Sequence, residues 1–255
     1  SGQGSVALVG AGPGPADLLT LRAARLIAEA DAVFHDRLVD PSLLELARPD
    51  AWRVCVGKAP GAHHWPQDRI DALLVRAARD GLRVVRLKCG DPGVFGRAAE
   101  EMAALDAAGL PWRIVPGVTA ASAAAAAAGS VLTERGETDA LVLATAHARE
   151  GAAPPDLARR LVPGTTLALY MGVGRAPAVA KELLSAGQDP DLPVEVVFRA
   201  ERPDQTVLRL TLGGLAQAMK GRAKDGPAII FVRRPAAPVP EAPAAERAAE
   251  AASCV

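Results

Sequence analysis

"VALVGAGPGPADLLT", Val6–Thr20, runs from four strand-like residues through a glycine- and proline-rich turn into a helical pattern. Strand, tight turn and helix is the opening unit of an alternating α/β fold. A dinucleotide loop of that kind needs G-x-G-x-x-G, with backbone N–H groups facing a pyrophosphate. Here the glycines are Gly10, Gly12 and Gly14, and Pro15 stands where the third glycine belongs. Pro13 and Pro15 have no N–H to donate. The helix starts late, with Asp17 as its expected cap. The second strand runs into His35-Asp36-Arg37 and does not end on the usual ribose-binding acid. The loop therefore reads as a rigid, glycine-lined strand end that lets a neutral or cationic group approach the backbone.

The same alternation continues outward. Strands are expected at Val6–Val9, Ala32–Phe34, Trp52–Val56, Val84–Leu87 and Trp112–Val115. Helices are expected over Asp17–Ala30, Pro66–Asp80 and Ala98–Ala108. In the first helix Leu19, Ala23, Leu26, Ile27 and Ala30 share one face, while Arg22, Arg25 and Glu29 fall off it. This predicts a mainly parallel sheet with helices on both faces. Pro116-Gly117 breaks the pattern, and Thr119–Ala128 is a nearly pure alanine helix that can pack closely. A second set follows: strands Ala140–Ala144, Thr166–Tyr170, Val194–Phe198, Thr206–Leu212 and Ala228–Val232, and helix Ala176–Ser185. Two domains are expected, residues 5–116 and 117–235. The Ala/Pro-rich tail, 236–255, has too little apolar bulk for a core.

Half of the 255 residues are hydrophobic, enough for one large core or two modest ones. Lys+Arg and Asp+Glu each number 29, and no basic tract stands out. With only 3% aromatic residues, this argues against nucleic acid as a partner. Cys55, Cys89 and Cys254 are far apart and form no CxxC, so neither a disulfide framework nor a zinc site is expected. His63-His64 are adjacent and point apart, so no metal is expected there. No basic-then-apolar leader and no membrane-length apolar run is seen, and a soluble, cytoplasmic protein is the expectation. Ser1–Gly4 is set outside the fold.

A second strand ends in a similar loop: "VVRLKCGDPGVFGRAAEE", Val84–Glu101. Ligands of open α/β sheets bind beyond the carboxyl ends of strands, so two such loops indicate one cleft. The succession is "VGAGPG" (Val9–Gly14), "HDRLVDP" (His35–Pro41), "VGK" (Val56–Lys58), "PQ" (Pro66–Gln67) and "RLKCGDPGVFGR" (Arg86–Arg97). It continues with "VPGVTAASA" (Val115–Ala123), "LTERG" (Leu132–Gly136) and "YMGV" (Tyr170–Val173). This order, over about Val6–Val232, resembles the uroporphyrinogen-III C-methyltransferases within the tetrapyrrole methylase family.

The resemblance implies the two-domain α/β fold of class III methyltransferases, a homodimer, and S-adenosylmethionine folded into the interdomain cleft. The cofactor positions it implies are Pro13, Cys89, Gly90, Asp91, Val94, Thr119, Ala120, Met171, Ala200 and Ala228. It implies Asp36 as acid/base and Lys58 as proton donor or carboxylate anchor. Arg37, His63, Arg97 and Arg135 would meet the acidic side chains of a tetrapyrrole substrate, which suits guanidinium forks. The reaction implied is two successive C-methylations of uroporphyrinogen III to precorrin-2, towards sirohaem and cobalamin, with S-adenosylhomocysteine released. A later corrin intermediate as substrate, or a cofactor-binding protein without turnover, are the alternatives. Some positions depart from the family pattern. Cys89 replaces the first glycine of Gly-Gly-Asp-Pro and is expected to strain the loop or crowd the cofactor. Ala200 stands for a glycine, and Ala146 for the glycine of Thr-Gly-His. Glu134 stands for the histidine of Thr-His-Arg, setting negative charge where a polyanion is expected.

Overall fold

The computed structural model describes residues 4–57, 65–147 and 155–236. The first sheet contains β1 (Ser5–Gly10), β2 (Ala32–His35), β3 (Trp52–Cys55), β4 (Arg83–Lys88) and β5 (Trp112–Val115). It is parallel throughout, in the order β3-β2-β4-β1-β5. The crossovers carry α1 (Leu21–Glu29), α2 (Gln67–Arg79) and α3 (Ala98–Ala107). Successive strand residues point to opposite faces. Ala7, Val9, Val33, Val85 and Leu87 thus meet Ala23 and Ile27 of α1. Val6, Leu8, Phe34 and Val84 meet Ile70, Leu74 and Leu105 of α2 and α3. From β1 the chain crosses to β2, and from β4 it crosses the other way to β5. These neighbours therefore diverge and leave a crevice at their carboxyl ends, the position at which open α/β sheets bind ligands.

The second sheet contains β6 (Ala140–Thr145), β7 (Thr165–Tyr170), β8 (Pro193–Phe198), β9 (Thr206–Thr211) and β10 (Ala228–Arg234), in the order β6-β7-β10-β8-β9. Its helices are α4 (Ala120–Ala127), α5 (Ala176–Ser185) and α6 (Leu212–Ala218). Ala121, Ala124 and Ala125 of α4 lie directly on Ala168, Tyr170, Val197 and Phe231. The α5 and α6 helices cover the opposite face.

Several expectations change here. The mainly parallel arrangement holds for the first sheet only. In the second sheet β6–β7 is parallel, while β7–β10, β10–β8 and β8–β9 are antiparallel. The short connection 199–205 makes β8–β9 a hairpin, and a parallel pair would need a crossover of roughly a dozen residues. Thr20, not Asp17, caps α1: its Oγ1 accepts the Ala23 N–H at 3.1 Å. Ala16–Leu18 forms a separate 3-10 turn, because Leu19 and Thr20 are extended. Leu212 opens α6 and does not end β9. Gly4 lies inside the fold, where a Cβ would sit 2.4 Å from the Leu82 carbonyl oxygen. Most of the tail falls outside the described residues. The chain passes from one sheet to the other between β5 and α4, and we propose 5–116 and 117–235 as its two domains. Among the described residues, no helix is long and apolar enough to cross a membrane.

Candidate functional site

Three strand ends meet at the crevice, and glycine makes the meeting possible. A Cβ on Gly10 would stand 2.6 Å from the Gly117 Cα, and one on Gly117 would stand 2.3 Å from the Gly90 oxygen. Gly90 and Gly12, both in the left-handed region, exchange backbone hydrogen bonds of 2.8 and 3.2 Å. Asp91 fastens the loops: Oδ1 accepts the Gly93 N–H at 2.8 Å and Oδ2 the Gly117 N–H at 3.0 Å. The result is a fixed floor of backbone at the ends of β1, β4 and β5.

The second sheet supplies the facing wall. Tyr170, the last residue of β7, places its hydroxyl 2.6 Å from Thr119 Oγ1 and accepts the Ala121 N–H at 3.1 Å. Phe95 lies tilted against its ring at 5.0 Å. Between floor and wall is a cavity of about 520 Å³. From the first sheet it is lined by Gly12, Pro13, Asp36, Lys88 and the loop after β4. From the second it is lined by His147, Tyr170, Met171, Arg199–Ala200, Arg202 and the start of β10. Among the described residues, five non-glycine positions have positive φ: Phe95, Arg97, Met171, Arg199 and Glu201. Phe95, Met171 and Arg199 line the cavity, and the other two lie within two residues of a lining residue. Backbone strain of this kind persists where the surroundings over-determine it, commonly at binding sites.

Charge is arranged behind the wall. Arg86 Nη2 donates to Asp36 Oδ1 at 2.5 Å, and Arg86 Nε donates to Glu101 Oε1 at 2.9 Å. Lys88 Nζ donates to both Glu101 oxygens at 2.9 Å. The Arg86 and Lys88 side chains are 3% exposed and that of Glu101 is 0% exposed. Burial and the Arg86 charge push the Lys88 ammonium below its usual range, against the pull of Glu101. Burial opposes the charge on Arg86, but the Asp36 and Glu101 carboxylates outweigh it and raise the guanidinium. Arg202 Nη2 reaches across the cleft to the Leu38 carbonyl at 3.0 Å.

All ten positions the resemblance assigns to a cofactor line this one cavity, and Asp36 lines it too. Lys58 and His63 lie outside the described residues. Arg37, Arg97 and Arg135 are exposed and are not brought to this wall, and Arg97 pairs with Glu100 at 2.6 Å. Glu134 does not line this cavity, and its backbone pairs with Thr138. Nor does Cys89 strain the loop, because the left-handed position is Gly90. Burial, with a smaller effect of Asp36, pushes the Cys89 thiol up to about 12. Sequence reasoning missed Lys88, Phe95, His147, Tyr170, Arg199 and Arg202. Lys88 and Tyr170 are the last residues of β4 and β7, so the strand-end rule would have found them.

Comparison with known proteins adds the following. Residues 5–216 match the family model for tetrapyrrole (corrin/porphyrin) methylases. A siroheme synthase of Gluconacetobacter diazotrophicus is 49% identical over 232 residues, covering 90% of this chain and 49% of that protein. The chain thus spans about half the length of the curated relatives it matches. A Thermus thermophilus uroporphyrin-III C-methyl transferase complexed with S-adenyl homocysteine superposes with a TM-score of 0.76 at 41% identity, covering 90% of this chain and 92% of that one. A cobalt precorrin-4 methyltransferase superposes with a TM-score of 0.78 at 33% identity, covering 90% of this chain and 94% of that one.

Proposed function

The chain belongs to the tetrapyrrole (corrin/porphyrin) methylase family, and on that premise we propose that it methylates carbons of uroporphyrinogen III, using S-adenosylmethionine, to give precorrin-2. The observation that carries the reading is the convergence of ten separate positions, drawn from both sheets, on one cavity of about 520 Å³. Its size and largely apolar lining with a few polar groups suit a nucleoside-sized ligand. The glycine floor admits such a ligand close to backbone without requiring the N–H cradle of a pyrophosphate site. Pro13, Gly90, Asp91, Thr119, Met171, Ala200 and Ala228 would be among the residues that hold the cofactor. When bound, S-adenosylmethionine supplies an electrophilic sulfonium methyl.

The chain's own task is alignment and proton handling. Asp36 stands at the cavity wall as acceptor for the ring proton that is lost once the methyl arrives and positive charge builds on the ring nitrogen. Lys58 is the second proton-handling candidate. Arg199 and Arg202 at the cavity, with Arg37, His63, Arg97 and Arg135, offer cationic groups for the substrate's carboxylates. Likeness to a cobalt precorrin-4 methyltransferase supports a second reading, a later corrin intermediate. One assay separates them. The protein is incubated anaerobically with S-adenosylmethionine and uroporphyrinogen III, and the product is weighed by mass spectrometry. A gain of two methyl groups, lost in Asp36→Asn, is expected. No gain, with S-adenosylhomocysteine still bound in calorimetry, overturns the substrate and favours the later intermediate.

A further inference from the structure

The row Asp36–Arg86–Glu101–Lys88 alternates in charge and is open to the cavity only at its two ends. Its middle members, Arg86 and Glu101, do not line this cavity. Burying such a row costs more than burying apolar side chains of similar volume, so stability alone does not account for it. Arg86 is held on several sides: beyond the two carboxylates its Nη1 donates to the Leu87 carbonyl at 3.1 Å and to the Phe34 carbonyl at 3.5 Å. Its fork therefore has one orientation, and that orientation fixes Asp36 by a single oxygen. A carboxylate held at one oxygen keeps the other as acceptor.

We propose that Arg86, Glu101 and Lys88 are positioning residues that together hold the Asp36 carboxylate at the cavity wall as a proton acceptor. The inference rests on the reading of Asp36 given above. Among the described residues, the charged and titratable groups around Asp36 are Arg37 next to it in the chain, Arg86 and Lys88 from β4, Cys89 beyond it, and Glu101 from α3 behind them. Arg202 comes from the loop after β8, and the His35 ring nitrogen lies 3.0 Å from the Asp36 carbonyl oxygen. Removing the positive members must make the Asp36 carboxylate harder to keep charged. Removing only Glu101 must do the opposite, because two cations then face one carboxylate.

The test titrates the Asp36 ¹³Cγ resonance, assigned by its loss in Asp36→Asn, beside kcat and KM for methyl transfer. In Glu101→Gln the midpoint moves down. In the triple variant Arg86→Met/Lys88→Met/Glu101→Met it moves up by about one pH unit. There kcat falls about tenfold with KM little changed. Charge alone moves the midpoint, so the loss of kcat is the discriminating readout: a purely structural row leaves kcat of the folded variants unchanged, and that result overturns the proposal. Replacement of a buried charged triad by apolar residues is compatible with folding, and circular dichroism checks it. If one variant fails to fold, the other decides. If both fail, the row serves stability alone and the proposal is overturned. An unmoved midpoint in the folded triple variant overturns it as well. Full methyl transfer by Asp36→Asn would instead refute Asp36 as acceptor, while the resonance still reports whether the row holds it.

Discussion

Gly117→Ala perturbs the floor of the cavity at its tightest point. The added methyl would lie 2.3 Å from the Gly90 oxygen, 2.8 Å from the Gly10 Cα and 3.0 Å from the Gly10 carbonyl carbon. Ordinary contact begins near 3.4 Å, so about 1 Å of space must open. Every neighbour is backbone, and no rotamer change relieves it. Overpacking of this kind costs about 1–3 kcal/mol. We place this variant at the upper end, about 3 kcal/mol, because the Gly12–Gly90 pair and the Asp91–Gly117 bond both cross the point that must open. A chain of this size then loses about 6–12 °C of thermal midpoint. A 1 Å displacement at the floor also costs about a hundredfold in rate. Circular dichroism melts and single-turnover methyl transfer measure the two effects. Gly214→Ala is the control: it is helical, its nearest neighbour is 3.8 Å away, and the substitution stabilises by about 0.5–1 kcal/mol. A Gly117→Ala protein that melts and turns over like the parent would refute the claim that backbone contact shapes the site.

Cys89, with its thiol pushed up to about 12 by burial and the Asp36 charge, stays neutral at ordinary pH. Peptide mapping after iodoacetamide treatment at pH 8 should therefore find the exposed Cys55 alkylated well before Cys89, and equal rates would contradict the assignment. Asp31 joins β2, β4 and Arg48, and hydrogen bonds from the Arg83 side chain, against some burial, hold its carboxyl at about 2. Since the folded value is depressed below 3.8, its contribution is complete above that pH and is lost as pH falls towards about 2. Asp31→Asn should lower stability at pH 7 by about 1 kcal/mol, a value discounted for the part-exposed arginines, and flatten the acid-induced loss between those two pH values; an unchanged acid melt would remove the ion pair from the account.

The elements were legible because period and punctuation agreed along most of the chain. Helix α5 and strand β5 begin and end where apolar spacing puts them. The direction of the second sheet was not legible. Pairing of β10 between β7 and β8 is a non-local choice that leaves the alternation within each strand unchanged. Helix α6 was hidden by Gly213-Gly214 beside a strand-like run. In the site, the glycine loops could be read because close approach of backbone is written in the residues themselves. Arg199 and Arg202 could not, because they become cavity wall only once a hairpin of the second sheet faces the first.

Strand β4 carries a local signal of the site in its own pattern. Central strands of parallel sheets, buried on both faces, read as near-continuous apolar runs. β4 does not: Arg86 and Lys88 stand two apart within it, on one face, with Leu87 turned to the other. Two cations at that spacing in a buried strand require a carboxylate within reach, and "GRAAEE" offers Glu100 and Glu101 on the helix that follows. Glu101 is the one turned inward, 0% exposed and bound to both cations. A strand that breaks its own pattern at two positions, and spends the break on one carboxylate behind the cavity and another at its wall, is in conflict with stability taken alone. Such conflicts concentrate where a structure does chemistry, and here the conflict ends at Asp36.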